Sequence, residues 1–310
     1  MGSQRVENYG ARDAEAVVRL HLVDGTYELF RAHFGRQPDR RSPSGRDVKA
    51  THGIMSSLLA LLDDRAESVT HLAVAFDNPI ESFRNDLFDG YKTSAGIDPD
   101  LLAQFDLAEE AVRTLGIVVW SMDAWEADDA LATAAVRFAG EVEQVRILTP
   151  DKDLGQVVDT TRIVQVDRMR NREFDATGVQ ERLGVAPTSV PDHLALVGDT
   201  ADGIPGLKGF GAKSTATILG RYPHLEDIPT DEDWDVEVRG AARLRETFAN
   251  ERDRAFLWRD LATLRLDVPL EESLADLLWQ GADRRRLEAL CDELGFDSIR
   301  DRPRMWRDGG

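Results

Sequence analysis

A chain of 310 residues is long enough for one large α/β domain, or for a domain with a smaller attachment. Its 42% hydrophobic and 31% charged residues are those of a globular protein, and its single cysteine, Cys291, excludes a disulfide framework and a cysteine-rich zinc site. The net charge of −19 taken alone argues against nucleic acid, unless the carboxylates that matter are held by metal ions. Residues 1–16 are polar and charged, without the apolar stretch of a signal peptide, and no apolar run approaches the length of a membrane span. The expectation is a cytoplasmic protein that contacts no membrane, with a disordered tail over 1–16.

The first periodic segment, VVRLHLVDG (17–25), alternates and ends on Asp24, which reads as a strand followed by a turn. A helical pattern covers about 48–62, after a basic loop at 36–47 that carries Arg36, Arg40, Arg41 and Arg46. HLAVAFDNP (71–79) is a second strand closed by Asp77, and helical patterns follow at about 100–115 and 127–138. VRILTPDKD (145–153) is a third strand that ends in Asp151 and Asp153. Strands alternating with helices predict an α/β fold, a mostly parallel central sheet flanked by helices. Ligands of such sheets bind at the carboxyl ends of the strands, and three separate strands each place Asp there. A single Asp after a strand is often only a turn former or a helix cap. Three at once, together with Glu126, Asp128 and Asp129 in EADDALAT (126–133), point to a shared site.

From about 176 the pattern is mainly helical, with two short helices over 176–197, an acidic turn-rich loop at 223–236, and further helices at about 238–264 and 283–294. Between them lies VGDTADGIPGLKGFGAKSTATIL (197–219). GLKGFGAKS (206–214) is neither a P-loop, because Ala212 separates Gly211 from Lys213, nor a dinucleotide fingerprint, because Ser214 replaces the third Gly. It reads as a glycine hairpin between two helices. Gly206, Gly209 and Gly211 let the backbone approach a ligand, and the next helix start offers N–H groups to phosphate oxygens beside Lys208 and Lys213. Asp199 and Asp202 flank it.

The candidate acids are therefore Asp24, Asp77, Glu126, Asp128, Asp129, Asp151, Asp153, Asp199 and Asp202. Carboxylates without recurrent His or Cys suit Mg²⁺ or Mn²⁺. Two such ions support water attack on a phosphodiester.

The order VDGTYELFRAHF (23–34), VAFDNP (74–79), SFRNDLFDGYK (82–92), EADDALAT (126–133), TPDKDLGQVV (149–158) and GDTADGIPGLKGFGAKSTATIL (198–219) resembles the 5′–3′ exonuclease/flap endonuclease family, above all the 5′-nuclease domain of bacterial DNA polymerase I and its stand-alone relatives. The resemblance covers about 17–300. It implies a metal-dependent nuclease acting on DNA with 5′ flaps, nicks or 5′ ends. It implies an α/β core over 17–175 with an arch at about 80–110, and a helical part over 176–310 whose helix–hairpin–helix at about 198–220 grips the duplex and holds K⁺. It implies that Asp24, Asp77, Glu126, Asp128 and Asp151 serve one metal position, that Asp153, Asp199 and Asp202 serve a second, and that Asp129 lies outside both. On the same likeness Arg84 and Lys92 contact the phosphate being cut, and Gly206, Lys208, Gly209, Gly211, Lys213 and Ser214 contact DNA. It further implies a monomer working beside a separate DNA polymerase and ligase. The chain departs from the family pattern at Ala95, where the family carries Arg, and at Leu194 and Gly203. Two other readings compete: a DNA-structure-binding module with weak or no catalysis, and a ribonuclease on a related scaffold.

Overall fold

The computed structural model describes residues 18–307, so the tail expected over 1–16 lies outside the described residues. Six strands form the main sheet: β1 (Arg19–Asp24), β2 (His71–Asp77), β3 (Val118–Met122), β4 (Gln144–Leu148), β5 (Ile163–Asp167) and β6 (Arg172–Phe174). Their order is β3-β2-β1-β4-β5-β6. Every pairing is parallel except that of β6 with β5.

Both faces of the sheet are buried, as parallel sheets require, and the period-2 alternation divides the strand residues between two layers. Leu20 and Leu22 of β1, Ala73 and Ala75 of β2, and Val145 and Ile147 of β4 pack beneath one layer. Val23, Leu72, Val74, Phe76 and Leu148 point to the other. The first layer is built on α6 (Ala127–Phe138), and the second on α1 (Gly25–Phe34), α2 (Lys49–Asp63), α5 (Phe105–Thr114) and α12 (Arg284–Leu294). Two short helices, α3 (Phe83–Leu87) and α4 (Pro99–Leu102), lie in the 80–110 stretch.

The remaining helices, α7 (Ala176–Leu183), α8 (Val190–Val197), α9 (Ala212–Arg221), α10 (Ala241–Asn250) and α11 (Arg252–Ala262), surround a core of their own that includes Leu194, Phe210, Phe248 and Trp258. Trp120, Trp258 and Trp279 are buried, and Trp125 packs on Phe83 with ring centroids 5.4 Å apart. These indoles are therefore packing groups. Cys291 is fully buried, and burial pushes its thiol up to about 11. Among the described residues no helix is long and apolar enough to cross a membrane.

The end of the chain folds back through α13 (Asp297–Arg300) onto α2. There His52 bonds Ser298 at 3.0 Å and meets the Phe296 ring edge-on. Burial, with Arg40 and Arg302 nearby, lowers the His52 pKa from 6.5 to about 4. The folded state thus prefers the neutral ring, and its contribution is complete above pH 6.5 and is lost as the pH falls towards 4. His52→Gln removes that titration. The difference in urea midpoint between wild type and variant is expected to change between pH 7 and pH 4, and a constant difference would show that the ring does not titrate in this way.

Candidate active site

The strand order reverses between β1 and β4, and the crevice at such a switch point is where open α/β sheets bind ligands. Asp24 closes β1 and caps α1 by accepting the Tyr27 N–H at 2.8 Å. Its second oxygen accepts the Thr149 hydroxyl at 2.9 Å, tying the end of β1 to the end of β4. The cap and the site are thus the same residue. Gly25 permits this turn, since a Cβ there would stand 2.7 Å from the Ala75 carbonyl.

Asp77 closes β2. Its carboxylate accepts the Ala127 N–H at 2.7 Å, which fixes the first turn of α6 against the strand ends. Asp151 follows β4 and accepts the Asp153 N–H at 3.0 Å, opening a 3₁₀ turn over Lys152–Val157. Asp199 and Asp202 come from the segment after α8, where an isolated bridge pairs Asp199 with Ile204.

Electrostatics tie these groups into one cluster. Burial raises the Asp24 pKa, with Asp77 and Asp151 adding to the rise. Burial raises Asp77 too, with Glu126 adding. Asp128 is pushed well above the usual carboxylate range by burial and by the charges of Asp151 and Asp24. Asp153 is raised in the same way by burial, Asp151 and Asp202. Asp202 is raised by burial, and Glu126, Asp151 and Asp199 add to it. Like charges are forced together here against their own repulsion.

One subset is tighter than the rest: ligand oxygens of Asp153, Asp199 and Asp202 all lie within 4.8 Å of one another. Asp153 Oδ1 is buried and has no hydrogen-bond partner. An all-oxygen donor set with a buried carboxylate oxygen that accepts no hydrogen bond fits a hard divalent cation such as Mg²⁺ or Mn²⁺.

Glu126 behaves differently. Burial opposes its charge, yet Lys92 and Arg84 hold its pKa below the usual range. Lys92 Nζ lies 2.8 Å from Glu126 and 3.4 Å from Asp202, while its backbone N–H donates to the Asp202 carbonyl at 3.0 Å. The 88–92 stretch is thereby pressed against 202–203: a Cβ on Gly203 would meet the Gly90 carbonyl at 2.2 Å. Ser82 donates to Glu126 at 2.7 Å, and Tyr91 donates at 3.3 Å.

Arg84 departs from its expected place against a scissile phosphate. It is 1% exposed. Its two terminal nitrogens bond the two oxygens of Asp129 at 2.7 and 2.8 Å, and it also donates to the carbonyls of Leu261 (2.8 Å) and Thr263 (3.0 Å). Asp129 is likewise consumed, accepting the N–H groups of Glu126 (3.0 Å) and Arg265 (2.8 Å). This pair clamps the start of α6 to the end of α11. Four of its five N–H groups are engaged in this way, and the nitrogen that carries the fifth lies 3.2 Å from Glu126, so the guanidinium has none left for a phosphate.

The glycine segment also differs in detail from the expectation. It does join two helices, α8 and α9, and Lys208 and Lys213 are exposed. Gly206, however, has φ +67°, and a Cβ there would stand 2.5 Å from Gly198 N. Its bareness is filled by the hairpin's own backbone and not by a ligand. Ser214 spends its hydroxyl on the helix start, accepting the Gly211 N–H at 3.2 Å and donating to the Gly211 carbonyl at 2.9 Å. Gly209 and Gly211 do open onto a cleft of about 650 Å³, with Lys213 and Arg239 on its walls.

Sequence reasoning does not single out Thr149, Ser82 or Lys152. All three stand within the family-like motifs, and Lys152 lies between two of the candidate acids.

Two family models match the chain, one directly after the other: the 5′-3′ exonuclease N-terminal resolvase-like domain over residues 19–184, and the 5′-3′ exonuclease C-terminal SAM fold over residues 185–285. DNA polymerase I of Bacillus caldotenax is 33% identical over 285 residues, covering 91% of this chain and 32% of that protein. DNA polymerase I of Pseudomonas aeruginosa is 35% identical over 292 residues, covering 91% and 31%. The chain thus spans about a third of the length of these curated relatives. Among solved structures, a bacteriophage T5 flap endonuclease described as a complex with DNA and metal ions aligns with a TM-score of 0.62 at 19% identity, covering 79% of this chain and 89% of that one. Flap endonuclease-1 from Methanococcus jannaschii aligns with a TM-score of 0.58 at 15% identity, covering 93% and 91%. The fold is shared with both, and on the two matched models the chain belongs to the 5′-3′ exonuclease family.

Proposed function

We propose that this chain is a divalent-metal-dependent, structure-selective 5′-nuclease that hydrolyses DNA phosphodiesters as a 5′–3′ exonuclease and 5′-flap endonuclease in replication or repair. The observation that carries the reading is the convergence of Asp153, Asp199 and Asp202, with Asp153 Oδ1 buried and accepting no hydrogen bond, at the sheet's switch point. Those three would hold one ion, and Asp24, Asp77, Asp128 and Asp151 would serve the other. When bound, Mg²⁺ or Mn²⁺ would activate the attacking water and stabilise the leaving oxygen.

The chain's own groups do the rest. Lys92, half-buried between Glu126 and Asp202, is the cation that would meet the scissile phosphate and offset its developing charge. Glu126 orients Lys92 and is itself fixed by Ser82, Tyr91 and Arg84. Arg84 and Asp129 position α6 and touch no substrate. Lys208, Lys213 and the cleft beside Gly209 and Gly211 would hold the duplex backbone without reading bases, and the hairpin would take K⁺. The chain would act as a monomer in the cytoplasm, with polymerase and ligase activities completing the repair.

The test is cleavage of a labelled 5′-flap duplex with Mg²⁺ or Mn²⁺. Cutting near the junction is expected, and both EDTA and Asp151→Ala are expected to abolish it. Retained binding without cutting in either metal would put a DNA-structure-binding module in its place. Equal cutting of an RNA flap would open the substrate class.

A further inference from the structure

A lysine beside a strand end usually extends into water. Lys152 does not. It follows Asp151 in the chain, yet its ammonium pairs with the carboxylate of Asp199 and lies 3.6 Å from Asp153 Oδ1. Both are members of the trio whose oxygens converge within 4.8 Å. The side chain is 32% exposed, so its charge is only partly solvated.

Lys92 reaches the third member, Asp202, from the other side. The two lysines are held differently. Lys92 is anchored through its backbone, whose N–H donates to the Asp202 carbonyl and whose own carbonyl accepts Asn85 Nδ2 at 2.9 Å, and its nearest carboxylate is Glu126, outside the trio. Lys152 Nζ has only Asp199 and Asp153 as ion-pair partners among the described residues. Its ammonium therefore occupies two of the three carboxylates that a divalent cation would use.

Resting on the reading of the chain as a metal-dependent nuclease, we propose that Lys152 is a tethered competitor for the metal position formed by Asp153, Asp199 and Asp202. Its ammonium neutralises the trio when no ion is bound, and it leaves Asp199 when one enters. Charge balance has two consequences. The ion-free site is protected from the repulsion of three crowded carboxylates. The ion, in turn, binds more weakly than three carboxylates alone would allow, because an ion pair must be broken first. This position is therefore the weaker of the two metal positions.

Mn²⁺ titration of the full chain, followed by calorimetry and by the spin-resonance signal of free Mn²⁺, tests this without any turnover. Wild type is expected to show a tighter and a weaker class of site. Lys152→Met is expected to tighten the weaker class about tenfold, the scale of releasing one partly buried ion pair with a net charge of −1 added. Lys152→Arg, which keeps the charge, is expected to leave it weak. Lys152→Gln serves if the Met variant does not fold. Thermal midpoints give a second readout: Lys152→Met should melt below wild type in EDTA, and the gap should close in saturating Mn²⁺. An unchanged or weakened second class in both neutral variants overturns the competitor role while leaving the nuclease reading intact. A wild-type chain that binds no Mn²⁺ overturns the nuclease reading and this one with it.

Discussion

Arg84→Ala is expected to remove about 3–5 kcal/mol of unfolding free energy, the usual cost of breaking a buried ion pair from one side. The substitution leaves Asp129, which is fully buried, without its bidentate partner, and it frees the carbonyls of Leu261 and Thr263. Arg84→Lys should rescue little, because an ammonium cannot supply the planar fork that meets both Asp129 oxygens. The double variant Arg84→Met with Asp129→Leu should recover only part of the loss: it removes the unpaired buried charge, but it leaves the Glu126 and Arg265 N–H groups and the Leu261 and Thr263 carbonyls without their partners. Urea unfolding of wild type and the three variants measures all of this. A loss below about 1 kcal/mol for Arg84→Ala, the range of an exposed pair, would mean that the guanidinium is free to leave Asp129 and reach substrate after all.

The second large effect is on rate. Lys92→Met should lower the turnover of a 5′-flap substrate about 10²–10³-fold, the usual loss when one preorganised donor to developing charge is removed. Methionine keeps most of the aliphatic length and removes the charge, which lies 5.8 Å from the centroid of the Tyr91 ring. The backbone bond from residue 92 to Asp202 is unaffected, so the stretch should stay in place. Single-turnover cleavage together with Mn²⁺ titration separates the causes. A slow enzyme that still binds Mn²⁺ assigns the loss to Lys92 itself, whereas an unchanged rate would move the phosphate contact to another cation.

The sheet is legible in the sequence where a strand ends in a charged turn. β1, β2 and β4 combine apolar alternation with a terminal or closely following Asp, and the periodicity alone finds them. β3 escapes that reading: it is a half-exposed edge of only five residues, VVWSM, too short and too mixed for the periodicity to find, although Asp123 follows it directly. β5 escapes it too, because Gln165 interrupts its apolar run. That glutamine is buried and donates to the Thr149 carbonyl at 3.1 Å, so it supports the loop carrying Asp151. β5 shows as well why the Asp rule needs its neighbours. Asp167 ends a strand just as Asp24 does, but it bonds Arg170 at 2.8 Å in the next turn and takes no part in the cluster of Asp153, Asp199 and Asp202. Strand position alone does not separate the two cases; the groups packed around each carboxylate do.

The same limit explains Arg84. Its motif also contains Lys92, which invites one role for both cations, but the environment of Arg84 is set by Leu261 and Thr263, which lie 177 and 179 residues further on. No local pattern reports a partner that distant. The glycine segment shows a smaller failure of the same kind. Gly206 is singled out for letting the backbone approach a ligand, whereas the atoms that a side chain there would meet are backbone atoms of Val197 and Gly198.

The clamp between Arg84, Asp129 and the end of α11 also has a meaning in the order of synthesis. A ribosome delivers Asp24, Asp77, Glu126 and Asp151 first, and chains fold from the N-terminal side as they emerge. The Asp153, Asp199 and Asp202 trio cannot close until residue 202 has appeared, and the first turn of α6 is not locked until residues 261–265 arrive. A nascent chain therefore carries most of the candidate acids before it has their final arrangement. The site is complete only once residue 265 has been made, a delay set by topology alone.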